Sequence, residues 1–245
     1  MSRLKGKRIK VIGCIMVVIV LGLCGNWLYK GRRVHFEDDM MRQVICLELG
    51  KDKDSKDVTY RDLETIEQLY IGPVGTFETI EDVAKCKNLK KLRVNMSIGR
   101  EKASFELFEI TETGERYYPP VSEEKMKRMQ EDLEKIFKSV KSIESFGFSN
   151  VNDTFNIPDI EFLKYGENIK DINISYANIT DYSVLENCSK LKKVDLWYSD
   201  VESADDLLKL KNVEKFWLTG TPLAQEQEEI KRLEKAFPEA WIITE

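Results

Sequence analysis

"NCSKLKKVDLWYSD", residues 187–200, decides how the rest of the chain is to be read. A close relative of its first half, "KCKNLKKLRVNMS", stands at residues 85–97, and only the later copy adds Trp197 and Tyr198. Both copies space their apolar residues as apolar-x-x-apolar-x-apolar: Leu89/Leu92/Val94 and Leu191/Val194/Leu196. The same spacing recurs at Ile66/Leu69/Ile71, Ile143/Phe146/Phe148, Ile169/Ile172/Ile174 and Val213/Phe216/Leu218, with successive offsets of 23, 54, 26, 22 and 22 residues. A period of about 20–29 residues with this pattern predicts a leucine-rich repeat, one short strand and one returning segment per unit.

Each unit predicts its own anatomy. The strand turns alternate side chains into the stack, and strands add in parallel along one concave sheet. A small residue follows (Ala177, Ser199, Thr221), then an apolar one that turns inward (Ile179, Val201, Leu223). A short convex helix returns the chain, with Val83/Cys86, Leu185/Cys188 and Ala204/Leu207/Leu210 facing in. Cys86 and Cys188 occupy the slot where Leu210 stands, so they read as small buried hydrophobes rather than redox or metal groups. The predicted class is therefore α/β, a leucine-rich repeat solenoid with a curved parallel sheet on the concave side and short helices on the convex side. Over roughly residues 36–245 the pattern resembles the bacterial leucine-rich repeat proteins of the internalin type. That resemblance implies an asparagine ladder at the small position. Here Asn178 and Asp200 stand one place later, so the ladder is not carried over.

The ends fit the same resemblance. Residues 36–65 resemble the helical N-terminal cap of such proteins: Asp38 caps a helix with Met40, Val44 and Leu47 on one face, Gly50 and Lys51 stop it, and a second short helix begins at Thr59 with Asp62 three residues on. Val44, Leu47 and Leu49 would also suit one more strand. Repeats then occupy 66–223, and residues 224–245 resemble a C-terminal cap: a helix with Ile230, Leu233 and Phe237 inward, stopped at Pro238, and a last strand over 241–243. Roughly 30 extra residues interrupt one repeat. An insertion at about 95–121 alternates through Phe105 and Leu107 as a hairpin, and Ser122 caps a lengthened convex helix with Met126, Met129, Leu133, Ile136, Phe137 and Val140 on one face.

Charge divides the chain of 245 residues unevenly. Residues 1–33 hold eight of its 38 basic side chains and none of its 43 acidic ones, which leaves −13 on the remainder. An acidic body repels a phosphate backbone, which argues against nucleic acid as a partner. After a basic stub (1–10) come 19 uncharged residues, "VIGCIMVVIVLGLCGNWLY", residues 11–29. As a helix this run reaches about 28 Å, close to the hydrocarbon thickness of a bilayer. It predicts one transmembrane signal-anchor helix, followed by a juxtamembrane linker (30–35). The five basic residues before the run and three after it put the N-terminus in the cytoplasm and the repeats outside. A cleaved signal peptide is the alternative, with Gly22 and Cys24 at the cleavage positions but no A-x-A signature.

Little in the sequence points to catalysis. His35 is the only histidine, which excludes a His-based triad or a multi-His metal site. "DKDSKD", residues 52–57, lacks the glycine and glutamate of a calcium loop. The three cysteines outside the apolar run, Cys46, Cys86 and Cys188, are odd in number and widely spaced, unlike a disulfide framework. No cofactor is implied.

Recognition is the expectation instead. Concave positions within the strands read Tyr70, Arg93, Gly147, Asn173, Asp195 and Trp217; those just after them read Gly72, Asn95, Ser149, Ser175, Trp197 and Thr219; Tyr176 and Tyr198 follow on adjacent rungs. Trp197 and Trp217 come out as diagonal neighbours, so an aromatic patch forms with Asp171, Asn173, Asp195 and Lys215 around it. Large rings with little entropy to lose suit a protein partner, and a glycan is the second choice. The same rings could instead pack only on each other. The rival functions are a structural scaffold of the cell envelope and, with inverted topology, a cytoplasmic adaptor.

Overall fold

The computed structural model describes residues 28–96, 107–108, 117–150 and 153–245. Seven strands form one sheet in chain order: β1 (Gln68–Ile71), β2 (Lys91–Val94), β3 (Ser145–Ser149), β4 (Asp171–Ser175), β5 (Lys193–Asp195), β6 (Lys215–Trp217) and β7 (Trp241–Ile243). Every pairing is parallel, and the register aligns Leu69, Leu92, Phe146, Ile172, Val194 and Phe216 in one row. All six are buried, as are Ile71, Val94, Phe148, Ile174, Leu196 and Leu218 two residues along. Strand neighbours lie about 4.8 Å apart, so an apolar residue repeated at one register position becomes a continuous core. That is why the chain repeats itself.

The short convex helices expected are single 3-10 turns: Glu81–Lys85, Glu161–Tyr165, Ser183–Asn187 and Leu207–Lys209. A 3-10 turn rises about 2.0 Å per residue against about 1.5 Å for an α-helix, so it spans the convex side with fewer residues. A 22-residue period leaves little chain to spare. Where the offset is 54 residues, a full α-helix takes the place of the turn. The described residues include four complete α-helices, α1 (Asp39–Glu48), α2 (Tyr60–Leu63), α3 (Glu123–Ser139) and α4 (Gln227–Ala236). α3 packs between the convex turns on either side of it. Ser122 Oγ accepts from Lys125 N, and Met129, Leu133, Ile136 and Phe137 are buried, with Met126 half-buried.

The ends are closed by caps. Asp38 accepts from Met41 N at the start of α1, Gly50 takes φ +68° just beyond its end, and Thr59 with Asp62 forms a reciprocal capping box on α2. The inward face of α1 runs through Met41, Val44 and Ile45; Met40, expected inward, is only half-buried because the 3.6-residue turn brings its neighbour onto the core. In α4, Leu233 is buried and Ile230 half-buried, and Phe237, which caps the helix, is half-buried against the core. Residues 30–35, expected as a linker, are fastened to the cap. Arg33 bridges Thr59 in antiparallel fashion, Val34 N donates to Val58 O, and Lys30 pairs with Glu64 at 2.8 Å. Tyr29 stacks on Tyr60 with ring centroids 4.8 Å apart.

Carboxylates stitch the convex side. Ile80 N and Thr79 Oγ1 donate to Asp132 in α3, Tyr182 N donates to Asp206, and Ala204 N donates to Glu229 in α4. Asp82 likewise accepts from Glu37 N and Asp38 N. In each case an acid from one convex segment satisfies the orphan N–H groups that open the preceding one.

The apolar run 11–29 lies outside the described residues except for Leu28 and Tyr29, and most of the expected hairpin lies outside them too. Among the described residues no helix is long and apolar enough to cross a membrane. Of the insertion, Phe108 is buried over Gly72, where an added Cβ would meet its ring at 2.5 Å, and Leu107 is half-buried.

Candidate functional site

The polar positions of the sheet sort into rows by register. One row reads Gln68, Lys91, Ser145, Asp171, Lys193, Lys215 and Trp241, and the next reads Tyr70, Arg93, Gly147, Asn173, Asp195, Trp217 and Ile243. Between them, toward the C-terminal half, lies a hollow of about 200 Å³ lined by Arg93, Asp171, Asn173, Lys193, Asp195, Lys215 and Trp217. Six of the residues expected on the binding face, Arg93, Asp171, Asn173, Asp195, Lys215 and Trp217, therefore share one depression.

Arg93 is its floor rather than its rim. Only 7% exposed, its side chain lies over Gly147, whose missing Cβ leaves the room, and its guanidinium donates to Ser145 Oγ at 2.8 Å and approaches Asp171 at 3.6 Å. Burial pulls its pKa below the ordinary value against the opposing pull of Asp171. Asp195 accepts from Asn173 Nδ2 at 2.6 Å and from Trp197 N at 3.2 Å, the second bond fixing the turn that presents the indole. Burial, with Asp171 nearby, raises the Asp195 carboxyl above its usual value despite those bonds and Lys215. Tyr70, in register with Arg93, stays outside the hollow and carries Lys91 Nζ 5.3 Å from its ring centroid.

The aromatic residues divide into two groups. Tyr176 and Tyr198 stack in parallel with centroids 5.3 Å apart and planes 6° apart, and Trp197 meets both edge-on at 5.4 and 5.1 Å. The three remain 40%, 48% and 39% exposed respectively. Trp217, expected beside Trp197, faces Lys215 instead: the ammonium lies 4.6 Å from the Trp217 ring centroid and 4.7 Å from that of Trp241. A parallel register puts Lys215 directly opposite Trp241 and two places before Trp217, so one cation serves both rings.

Backbone conformation explains the rim. At one repeated position the chain leaves the strand through the left-handed region, with φ of +56° at Tyr176, +54° at Tyr198 and +75° at Gly220. Only glycine adopts this freely; a bulky residue costs about 1–2 kcal/mol there. Gly220 also makes room, since a Cβ on it would stand 2.5 Å from Tyr198 Cδ1.

Several polar residues turn in rather than out. Asn95, Ser149 and Ser175, expected on the open face, are buried. Asn95, at φ +53°, accepts from Val74 N and donates to Ser149 O, joining three rungs. At the small position Ser199 Oγ donates to Ile174 O and accepts from Ala177 N, so a buried hydroxyl bridges two rungs. Lys193 and Trp241 were missed as members of the site. They share the register position of Asp171 and Lys215, a signal the repeat already carried. Burial pushes the Cys86 and Cys188 thiols up to about 12.

No family model matches the sequence, and no curated protein aligns with it significantly. Among solved structures the chain is similar to internalin C2 of Listeria monocytogenes, with 20% identity, TM-score 0.49, and coverage of 84% of this chain and 83% of that one. It is also similar to a leucine-rich repeat protein of Leptospira interrogans, with 14% identity, TM-score 0.41, and coverage of 74% and 50%. A further internalin of Listeria monocytogenes matches at 12% identity, TM-score 0.33, and coverage of 86% and 90%. At these levels the repeat architecture rests on the seven-strand register itself.

Proposed function

We propose that this chain is a non-catalytic recognition module, a repeat domain that binds a protein partner through its concave face. It is held outside the membrane by the apolar run 11–29. The observation that carries the reading is the exposed Tyr176–Trp197–Tyr198 cluster, two of whose members hold strained left-handed backbone. Strain kept at an exposed surface is characteristic of sites that act, because packing alone would favour glycine there. Rings of this kind supply most of the free energy in protein recognition.

Replacing Trp197 and Trp217 together by alanine tests the site. Capture of a cell-surface partner is lost while circular dichroism and the unfolding midpoint stay unchanged; undiminished capture removes the site. Protease treatment of intact cells tests the topology, since an extracytoplasmic domain is digested and a cytoplasmic one survives. Competition by soluble glycans but not by proteins would move the partner class to carbohydrate.

A further inference from the structure

We infer that Lys193 and Lys215 clamp a carboxylate from an acidic segment of the partner protein, with Trp217 walling the hollow between them and Arg93. The inference rests on the concave-face reading and names the chemistry of the partner. Its basis is a contrast between adjacent rows of lysines. On the edge row just before the strands, each lysine has its own acid on a neighbouring rung: Lys90 with Glu67 at 2.7 Å, Lys170 with Glu144 at 2.8 Å and Lys192 with Glu214 at 2.7 Å. One residue along, on the open face, Lys193 and Lys215 stand directly in register with each other, and neither has an ion-pair partner among the described residues. Like charges facing each other across strands are destabilising. The edge row shows that the chain has acids to spare for such positions.

Other features fit the same occupant. Beyond residue 33 the chain carries −13, yet the open face gathers Lys91, Arg93, Lys193 and Lys215 against Asp171 and Asp195. Asp171 already approaches Arg93, and Asp195 already accepts from Asn173 and Trp197. The two lysines are thus the charges of the hollow without an ion pair among the described residues, although Lys215 also acts at longer range on Asp195. Lys215 is fixed between Trp217 and Trp241, which lowers the entropy lost when it engages an anion. The 200 Å³ depression suits one side chain rather than an extended polyanion. The aromatic rim beside it would take the flanking residues of the same segment.

The test uses the full chain in neutral detergent, titrated with an oligoglutamate peptide and read by intrinsic tryptophan fluorescence. Binding is saturable and weakens with salt, as expected when the Debye length falls below about 8 Å. Lys193→Glu with Lys215→Glu weakens it about tenfold or more. Lys192→Gln leaves it unchanged, because that ammonium already belongs to Glu214. Lys193→Gln with Lys215→Gln repeats the loss without reversed charge, which separates binding from any effect on folding. No saturable change, equal binding by the lysine variants, or tighter binding of oligogalacturonate than of oligoglutamate overturns the inference. Partner capture that fails in the Trp197/Trp217 variant but persists in both lysine variants leaves the concave-face reading standing and removes the clamp. Lysine-dependent oligoglutamate binding with tryptophan-independent capture keeps the clamp and removes the aromatic site.

Discussion

Tyr198 sits where two opposing contributions of similar size meet. Its left-handed backbone costs about 1–2 kcal/mol, and its stacking on Tyr176 returns about 0.5–1.5 kcal/mol. Tyr198→Asn, which tolerates φ +54° better, is expected to leave the denaturation midpoint nearly unchanged while weakening partner capture. A clear fall in the midpoint would mean that the ring serves the fold alone. Gly220→Ala acts in the other direction. The new Cβ collides with the Tyr198 ring at a φ of +75°, so the variant should lose about 1–2 kcal/mol by chemical denaturation and displace the ring it touches. Residue-scale strain of this kind is invisible in the sequence, where Tyr176 and Tyr198 show only as exposed aromatics.

Convex carboxylates make the same point for elements. Asp132 lies on the buried face of α3 and satisfies two donors from the preceding segment, Ile80 N and Thr79 Oγ1. Asp132→Ala leaves both unpaired and should cost about 2–3 kcal/mol, whereas Glu81→Ala, which removes only the half-exposed pair with Lys135, should cost about 0–1 kcal/mol. Paired denaturation curves compare the two. Glu229 extends the pattern to α4. The Ala204 N–H, then Arg232, hold its carboxyl below the usual 4.5. A lowered folded-state pKa gives stability that is present above the unfolded value and lost as pH falls through the folded one. Docking of α4 should therefore loosen only in acid below about pH 4.5, and Glu229→Gln should flatten that dependence in hydrogen exchange. Strands were legible because their apolar residues recur at a fixed offset. The acids were not, since a carboxylate reads as surface charge wherever it stands. Asp132 did carry a signal, falling between Met129 and Leu133 on the apolar stripe. Asn95 was misplaced because its direction depends on a local φ of +53°, and the flat, buried course of Arg93 depends on Gly147 in a neighbouring rung, neither of which a one-dimensional pattern contains.

A stack of rungs is only as closed as its ends. β6 would present an open edge and Phe216 an open flank if α4 and β7 were absent, because β7 pairs with β6 and Phe237 lies 5.0 Å from Phe216, ring to ring. α4 also packs on the Leu207–Lys209 turn and on a further 3-10 turn, Leu223–Gln225, with Leu233 fully buried. Each large apolar side chain uncovered forfeits about 1.5–3 kcal/mol, and an exposed parallel edge is a template for pairing with another chain. Truncation after Glu226 is therefore expected to lower and broaden the denaturation transition and to shift the chain toward higher species in size-exclusion chromatography. Nearest-neighbour coupling makes the loss graded along the stack, so amide protection should fall most in β6 and β5 and least in β1 and β2. The same deletion removes Trp241 and releases Lys215 from its sandwich, so oligoglutamate binding should weaken even in the monomeric fraction. An unchanged midpoint with a monomeric profile would mean that β6 closes the solenoid by itself.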